Sequence, residues 1–306
     1  MHIVIPDDYQ DAVRHLDCFG KLAGHTVTIY NDTVKDLDAL AGRFRDADAL
    51  VLIRERTAID ETLLARLPKL KAIAQTGRGT AHIDVAACER RGVKLLTGTG
   101  SPYAPAELTW ALILAASRGV AVEAARLRAG RWQTLLGRSL RVRTLGIWGY
   151  GKIGALVAGY GRAFGMHVVA YGREGSRERA VADGFTFAAD ADALCAQSDV
   201  LSLHLRLTEE TRGLVTAGHL TQMKPDALLV NTSRAELIEE GALVQALRNG
   251  RPGFAAVDVY EDEPTTGHPL LQMDNALCTP HLGYVERDSY ELYFGQAFDA
   301  LLQWGR

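Results

Sequence analysis

The chain has 306 residues, of which 47% are hydrophobic and 23% are charged, and its formal net charge is -3. This length exceeds the usual size of one hydrophobic core, so we expect two domains. The composition is that of a globular protein and excludes a disordered or fibrous chain. The small net charge gives no electrostatic reason to expect nucleic acid or an anionic membrane as a partner.

The N-terminus and the cysteines indicate where the protein resides. The segment from Met1 to Asp8 has neither a basic stretch nor a long apolar run, so it predicts a first strand and not a signal peptide. No apolar run reaches the length that spans a bilayer. The four cysteines are scattered without paired spacing. This pattern predicts reduced thiols, a cytoplasmic location and no metal site.

Short β-rich runs alternate with helical stretches along the chain, which predicts an α/β fold with two doubly wound parallel sheets. The first series of predicted strands is His2–Ile5, Thr26–Tyr30, Ala49–Ile53, Lys71–Ala74 and Lys94–Leu96. The second series is Thr144–Trp148, His167–Tyr171, Val200–His204, Ala227–Asn231, Phe254–Val259 and Ala276–Thr279.

A break rich in glycine and proline separates the two series and precedes a helix that we expect to start at Glu107. After the last predicted strand the pattern becomes one amphipathic helix, from Glu286 to about Gln303. Such a helix can return to the first domain. We therefore expect a substrate domain made of residues 1–102 and 284–306, with a dinucleotide-binding domain, residues 103–283, inserted into it.

A glycine-rich loop is the first motif with a chemical meaning. Gly149, Gly151 and Gly154 match the G-x-G-x-x-G pattern, between a predicted strand and a predicted helix over Ala155–Phe164. These glycines allow a tight turn, close approach of the backbone to a pyrophosphate, and close helix–strand packing. The helix N-terminus offers N–H groups to the phosphates. The alternative is a glycine-rich turn without a ligand.

The residues after the next strand bear on the choice of cofactor. An acidic residue normally stands there to bind the adenosine ribose, but this chain has Gly172 followed by Arg173. With Ser176 and Arg177, this cation suits a ribose that carries a 2′-phosphate. NADP(H) is therefore favoured. Glu174 could still reach the ribose, which leaves NAD(H) as the alternative.

Polar residues at later strand ends supply the groups that a 2-oxo acid needs. Arg234 follows a predicted strand, and its planar guanidinium can hold a carboxylate together with the adjacent carbonyl oxygen. His281 ends the last strand and can donate a proton to the developing alkoxide. Glu263 can orient this imidazole, and Asp258 can fix the nicotinamide carboxamide. His204 is the rival base, but we interpret it as a strand-end residue near the cofactor.

Each of these residues alone has an ordinary structural explanation, such as a solvated arginine or a turn glutamate. Together, behind the phosphate loop, they indicate an enzyme that transfers a hydride. The segments also resemble the D-isomer-specific 2-hydroxyacid dehydrogenases, the family of phosphoglycerate dehydrogenase and glyoxylate/hydroxypyruvate reductase. The resemblance is strongest in Gly149–Gly154, Leu201–Val215, Asn231–Leu247, Val257–Pro264 and Pro280–Gly283.

The resemblance implies a Rossmann cofactor domain inserted into a flavodoxin-like substrate domain, and an oxidoreductase that acts on a 2-hydroxy or 2-oxo acid. It implies Arg234, Glu263 and His281 as catalytic residues. The implied cofactor contacts are Gly149, Gly151, Lys152, Ile153, Gly154, Arg173, His204, Thr208, Thr232 and Asp258. The implied substrate contacts are Arg78 and Gly79, with Arg54 and Ser101 as weaker candidates. A homodimer through an arm over Ala121–Arg143 is also implied.

Two other functions stay open at this point. A formate- or phosphite-type dehydrogenase would use the same fold, but formate enzymes place a glutamine before the histidine motif, whereas the Glu263–His281 pair favours oxo-acid chemistry. A dinucleotide-sensing binding protein on the same fold would keep the cofactor loop and recruit a partner. The identity of the acid and the physiological direction do not follow from the sequence.

Overall fold

A computed structural model describes residues 1–305, and the chain folds as two compact α/β units. Unit 1 comprises Met1–Ser101 together with the segment from Val285 onward, and unit 2 comprises Pro102–Tyr284. Each boundary differs by one residue from the boundary expected from the sequence. The substrate and cofactor roles that we assigned to the two units remain predictions.

The strands of the described chain are β1 (His2–Ile5), β2 (Thr26–Ile29), β3 (Ala49–Leu52), β4 (Ala72–Gln75), β5 (Lys94–Thr97), β6 (Thr144–Trp148), β7 (His167–Tyr171), β8 (Thr186–Phe187), β9 (Val200–Leu203), β10 (Leu228–Asn231), β11 (Phe254–Val257) and β12 (Ala276–Cys278). The α-helices are α1 (Leu37–Phe44), α2 (Glu61–Leu64), α3 (Val85–Arg90), α4 (Tyr103–Arg118), α5 (Val120–Arg128), α6 (Lys152–Ala163), α7 (Glu174–Ala182), α8 (Ala191–Gln197), α9 (Ala217–Gln222), α10 (Ala242–Arg248) and α11 (Arg287–Trp304). Short 3₁₀ helices cover Val13–His15, Asp17–Leu22, Ala235–Leu237 and Pro269–Gln272.

Both sheets are parallel, which confirms the predicted fold class. The sheet of unit 1 has the order β2-β1-β3-β4-β5, and the sheet of unit 2 has the order β12-β11-β10-β9-β6-β7-β8. In unit 2, β6 pairs with β7 on one side and with β9 on the other. The order of the strands therefore reverses at β6, because β7 and β8 lie on one side of it and β9 to β12 on the other. Ligands of open α/β sheets bind outside the carboxyl ends of the strands at such a switch point.

The seven-stranded sheet is covered on both faces, as a parallel sheet requires. One apolar cluster contains Trp148, Leu203 and Leu229 together with residues of α8, α9 and α10. The other contains Ile147 and Val230 together with residues of α4 and α6. Because side chains on a strand alternate between faces, β6 contributes Ile147 and Trp148 to opposite clusters. This packing fixes the strand ends that carry the polar residues.

The other predicted bounds agree within two residues, and three elements differ from the expectation by more than that. The helix expected from Glu107 begins at Tyr103. It can include Pro105 because this residue lies in the first turn, where a backbone N–H has no partner within the helix. The helix expected from Ala155 begins at Lys152, directly after the N-cap Gly151. The sequence did not indicate β8, which has two residues, too few to show an alternating pattern.

In the part of the chain that the structure describes, no single helix is both long and apolar enough to cross a bilayer. The pair α4 and α5 reaches that length and composition only when the two are counted together across a 59° bend. In α4, Trp110, Leu112 and Ile113 are buried in the core of unit 2.

The last helix of the chain is fastened to the N-terminal part of unit 1 by one carboxylate. Glu291 in α11 accepts hydrogen bonds from the backbone N–H groups of Asp17 (2.6 Å) and Cys18 (3.0 Å). These two N–H groups begin a 3₁₀ helix, where they lack partners within the helix. Lys21 adds an ion pair with Asp299 at 2.7 Å.

We expect Glu291→Ala to destabilise unit 1 by about 1 kcal/mol, because two backbone donors lose their acceptor. Burial alone would raise the pKa of Glu291. The hydrogen bonds from Cys18 and Asp17 together lower it by more, so the pKa lies below its ordinary value. A carboxyl group whose pKa is lower in the folded than in the unfolded protein stabilises the fold at pH values above its unfolded pKa. This stabilisation is lost as the pH falls through the folded pKa. Urea unfolding should therefore show a Glu291→Ala effect that is constant near pH 7 and shrinks under acid conditions. Glu291→Gln keeps one acceptor and should cost less; equal stability of all three proteins at pH 7 would contradict the assignment.

Candidate active site

The glycine loop of unit 2 has the geometry that a pyrophosphate requires. Gly149 has φ +104°, and a Cβ there would collide with the carbonyl oxygen of His204. A Cβ on Gly154 would collide with the carbonyl oxygen of Gly149. A Cβ on Gly151, the N-cap of α6, would instead have no atom within 4 Å. The first and third glycines are thus required by packing, and the second borders open space in front of a helix N-terminus, which fits a dinucleotide phosphate.

The polar residues predicted from the sequence lie at one edge of the seven-stranded sheet. Gly149, His204, Thr232 and Asp258 directly follow β6, β9, β10 and β11, which are neighbouring parallel strands. His281 follows β12, the next strand along, by three residues. Since parallel strands end at the same edge, the structure gathers the phosphate loop and the predicted catalytic residues at the carboxyl edge of unit 2.

Local hydrogen bonds hold Arg234 where it follows β10. The Asn231 side-chain amide donates to the Arg234 carbonyl (2.8 Å), and one guanidinium nitrogen of Arg234 donates to the Ser233 carbonyl (2.7 Å). The Ser233 hydroxyl donates to the Leu203 carbonyl (2.8 Å) at the end of the adjacent strand. The half-buried guanidinium has five N–H donors in a planar fork, so it can also bind a carboxylate.

His281 and Glu263 form a hydrogen-bonded pair, as expected from their order in the sequence. The Nδ1 atom of His281 lies 2.7 Å from Oε2 of Glu263, and the two side chains are 20% and 15% exposed. Glu263 is itself oriented, because its Oε1 accepts from the backbone N–H of Tyr260 at 2.9 Å. The pair fixes the imidazole ring and directs Nδ1 to the carboxylate, so Nε2 is the nitrogen that can meet a substrate.

His204, the rival base, has a different environment. Burial lowers its pKa to about 4, and its Nε2 lies 2.9 Å from the Ser202 hydroxyl. The ring is therefore neutral near pH 7 and cannot serve as the proton donor there. This agrees with its interpretation as a strand-end residue, at the position where its carbonyl already packs against Gly149.

The remaining predicted cofactor contacts lie on the same unit. Lys152 and Ile153 form the first turn of α6, and Arg173 is the N-cap of α7. The backbone N–H of Thr208, in the loop after β9, donates to the Thr211 hydroxyl at 2.8 Å. These positions are compatible with the predicted contacts, and their roles remain predictions.

The sequence did not single out Thr109, which supports Thr232 from helix α4. The two hydroxyl oxygens are 2.7 Å apart, and Thr109 donates its own proton to the Pro105 carbonyl at 2.6 Å. Thr109 must therefore accept from Thr232, whose oxygen keeps its lone pairs for a ligand donor. A buried threonine within an apolar helix was the only available signal.

The predicted substrate residues all belong to unit 1. Arg54, Arg78 and Ser101 follow β3, β4 and β5, which are adjacent in the sheet, so they lie at the carboxyl edge of that unit. Arg54 has φ +52°, and its N–H donates to the Thr76 hydroxyl at 2.9 Å. A Cβ on Gly79 would meet the Glu55 carboxylate, the end of a flexible side chain that can move aside. The substrate roles of these residues remain predictions.

Over residues 1–305, no three histidine, cysteine, aspartate or glutamate side chains come together as candidate ligands for a metal ion. The carboxyl edge of unit 2 offers an arginine, a histidine–glutamate pair and a glycine loop. This set can bind a dinucleotide, hold a carboxylate and exchange one proton.

Comparison with known proteins identifies the family. Residues 110–283 match the sequence model described as D-isomer specific 2-hydroxyacid dehydrogenase, NAD binding domain. The chain is 41% identical over 264 residues to a glyoxylate reductase from Aeropyrum pernix, covering 82% of this chain and 78% of the relative. It is 39% identical over 273 residues to a D-3-phosphoglycerate dehydrogenase from Mycobacterium leprae, covering 86% of this chain but only 51% of that protein.

A solved structure agrees over the full length. The phosphoglycerate oxidoreductase from Vibrio cholerae O395 is 54% identical, superposes with a TM-score of 0.98, and is covered to 99% by this chain. The chain spans about half the length of the curated phosphoglycerate dehydrogenases that it matches. The predicted family, fold class and nicotinamide-linked reaction class are thereby confirmed. The chain belongs to the D-isomer-specific 2-hydroxyacid dehydrogenase family.

Proposed function

We propose that this chain reduces a small 2-oxo acid to the D-2-hydroxy acid at the carboxyl edge of unit 2, with NADPH as the preferred cofactor. The observation that carries the proposal is the 2.7 Å contact between His281 and Glu263, at the sheet edge that also bears Arg234 and the phosphate loop. When bound, the nicotinamide supplies or accepts the hydride at C2 of the acid.

The side chains supply binding and proton transfer. The Arg234 fork holds the carboxylate and polarises the adjacent carbonyl oxygen. Protonated His281 donates a proton from Nε2 to that oxygen as negative charge develops on it. Glu263 accepts from Nδ1–H and stabilises the imidazolium. In the oxidation direction, neutral His281 takes the hydroxyl proton.

The reaction is tested by the oxidation of NADPH and NADH with glyoxylate, hydroxypyruvate, pyruvate and phosphohydroxypyruvate. We expect turnover with at least one acid, and His281→Ala should lower kcat by about 10²- to 10⁴-fold, since it removes a general acid. His167→Ala is the control, because His167 is an exposed residue at the start of β7, at the opposite edge of the sheet. Absence of turnover with every acid, or near-full activity of His281→Ala, would contradict the proposal.

Three features at the start of α7 support NADPH as the cofactor. Arg173 stands at the N-cap with its side chain 79% exposed, where it can reach a phosphate. Glu174, the residue that could favour NAD, lies 3.4 Å from Arg177, so a cation already compensates its charge. Gly172 carries no carboxylate, and a Cβ there would lie 3.2 Å from the Ser176 hydroxyl, which therefore faces the same space.

Cofactor preference is tested by two variants with opposite effects. Arg173→Ala should lower kcat/KM for NADPH about tenfold, the value of one charge-assisted hydrogen bond, and leave NADH unchanged. Gly172→Asp should raise kcat/KM for NADH and lower it for NADPH, because the carboxylate accepts from ribose hydroxyls and repels phosphate. Arg248→Ala, at an exposed arginine of α10, is the control. A wild-type protein that prefers NADH, unaffected by Arg173→Ala, would overturn the assignment.

We also propose a homodimer formed through the arm Ala121–Arg143. No residue of α5 is buried, and the arm exposes large apolar side chains, with Leu136 99% and Trp132 75% exposed. The arm is nevertheless attached to helix α4, since the backbone N–H of Arg138 donates to the Ser117 carbonyl at 2.8 Å. An ordered segment with a large exposed apolar surface is typical of a subunit interface.

The arm borders an apolar groove at the amino edge of the sheet. Leu136 shares this groove with Leu228 and Phe254, the first residues of β10 and β11. A partner subunit bound there would leave the carboxyl edge of unit 2 accessible. The groove therefore supports a dimer that does not obstruct the candidate site.

We expect wild-type protein to have the mass of a dimer in light scattering after size exclusion, and Leu136→Asp to shift it to monomer, because a charge would be buried at the interface. Leu271→Asp is the matched control, since Leu271 is also exposed on unit 2, at 37%, but lies outside the arm. A monomeric wild type, or a Leu136→Asp protein that is still dimeric, would contradict this proposal.

The cysteines bear on the proposed location. All four are free thiols, and Cys18, Cys88 and Cys195 are buried. Burial raises the pKa of the Cys195 thiol to about 12, which keeps it protonated and unreactive. Unpaired thiols of this kind suit a reducing compartment, and we propose the cytoplasm.

A further inference from the structure

The turn that carries His281 has an unusual backbone. His281 has φ +53°, in the left-handed region that residues with a Cβ seldom adopt. Its N–H donates to the Thr279 carbonyl at 3.0 Å, which closes a tight turn directly after β12. A non-glycine residue in this region costs of order 1 kcal/mol and persists only where surrounding contacts hold it. The structure must therefore contain such contacts on both sides of His281.

The Asp258 carboxylate provides them. Oδ1 accepts from the Thr279 hydroxyl at 2.6 Å and from the Leu282 N–H at 2.7 Å, while Oδ2 accepts from the Gly283 N–H at 2.9 Å. These donors stand two residues before His281 and one and two residues after it. The Asp258 side chain thus spans the turn from the neighbouring strand β11.

We propose that Asp258 and Thr279 form a clamp that holds the backbone of His281 in its left-handed conformation, and that Thr279 is a positioning residue for the reaction. The inference rests on the proposed function for its kinetic consequence, but the clamp is a property of the fold itself. Thr279 acts through Asp258 and the turn, which set where the imidazole lies relative to Glu263.

The clamp is compatible with the role predicted for Asp258 toward the nicotinamide carboxamide. A carboxylate oxygen accepts about two hydrogen bonds. Oδ1 already has two donors from the turn, whereas Oδ2 has one, from Gly283, so one acceptor position of Oδ2 is left for a ligand N–H. A cofactor donor there would meet the same side chain that holds His281.

The electrostatics show why the Thr279 hydroxyl matters. Asp258 is fully buried, and burial raises its pKa, while the hydrogen bonds from Thr279 and Leu282 and the charge of His281 act in the opposite direction. Removal of the hydroxyl takes away one of the donors that favour the ionised carboxylate. The remaining carboxyl group then holds the turn with fewer and weaker hydrogen bonds.

Thr279→Val tests the clamp because valine has nearly the same shape but no hydroxyl. We expect kcat to fall about tenfold, with KM for the oxo acid and the dissociation constant of NADPH within about twofold, since misplacement of the proton donor affects the transition state and not ground-state binding. Thr279→Ser restores the hydroxyl and should recover most of kcat. Thermal unfolding of both variants checks that they are folded.

An NMR measurement keeps the test independent of turnover. The ring signals of His281, assigned by their loss in His281→Ala, should shift in Thr279→Val and return in Thr279→Ser. If no 2-oxo acid is reduced, the proposed function fails, but shifted ring signals still support the clamp. The clamp would be overturned if Thr279→Val had wild-type kcat and unshifted His281 signals. It would also be overturned if Thr279→Val lost NADPH affinity and nothing else.

Gly283→Ala gives a second route if the valine variant does not fold. A Cβ there would lie 3.3 Å from Oδ2 of Asp258 and 3.7 Å from Cβ of Pro105, so it presses on the clamp from the other side and leaves Thr279 intact. We expect the same fall in kcat without loss of NADPH affinity. Wild-type kcat together with unmoved His281 signals in this variant would also count against the clamp.

Discussion

The parallel pairing of β12, β11, β10, β9 and β6 is the constraint on which the candidate site depends. These strands are three to five residues long, and all except the partly buried edge strand β12 are largely buried on both faces, so packing and not the following loop fixes where they end. Residues from Gly149 to His281, far apart in sequence, therefore meet at one edge. A change of strand order would separate them even if every local motif were preserved.

At that edge each polar group positions the next through a hydrogen bond. The Tyr260 N–H orients Glu263, Glu263 orients the His281 ring, and Asp258 holds the backbone turn from which that ring projects. Two carboxylates in a largely buried environment are costly unless hydrogen bonds and cations compensate them. The backbone donors of the turns, the Thr279 hydroxyl and the imidazole provide that compensation. The same arrangement directs Nδ1 of His281 to Glu263 and leaves Nε2 as the nitrogen for the proton transfer that we propose.

Much of this was predictable because the signals are local. Short β-rich runs predicted eleven of the twelve described strands with limits within two residues of those observed, and the positions of the glycine loop, Arg234, Glu263 and His281 follow from their local motifs. The first turn of the helix that begins at Tyr103 was missed because Pro105 resembles a break, although proline is tolerated in a first turn. The Asp258 clamp could not be predicted, since no sequence pattern reveals that one carboxylate accepts three hydrogen bonds from the turn that follows the neighbouring strand. Thr109 was missed for the same reason: its partner Thr232 is 123 residues away in sequence.

We propose that this sheet edge brings a reduced nicotinamide to C2 of a 2-oxo acid. The most direct measurement is reduction of an accepted 2-oxo acid with NADPH carrying deuterium at C4 of the nicotinamide, followed by NMR of the product. With the cofactor labelled in turn on each face of the ring, one of the two labels should appear at C2 of a hydroxy acid of D configuration. A product without deuterium from either label, or with it at another carbon, would contradict direct hydride transfer at this site.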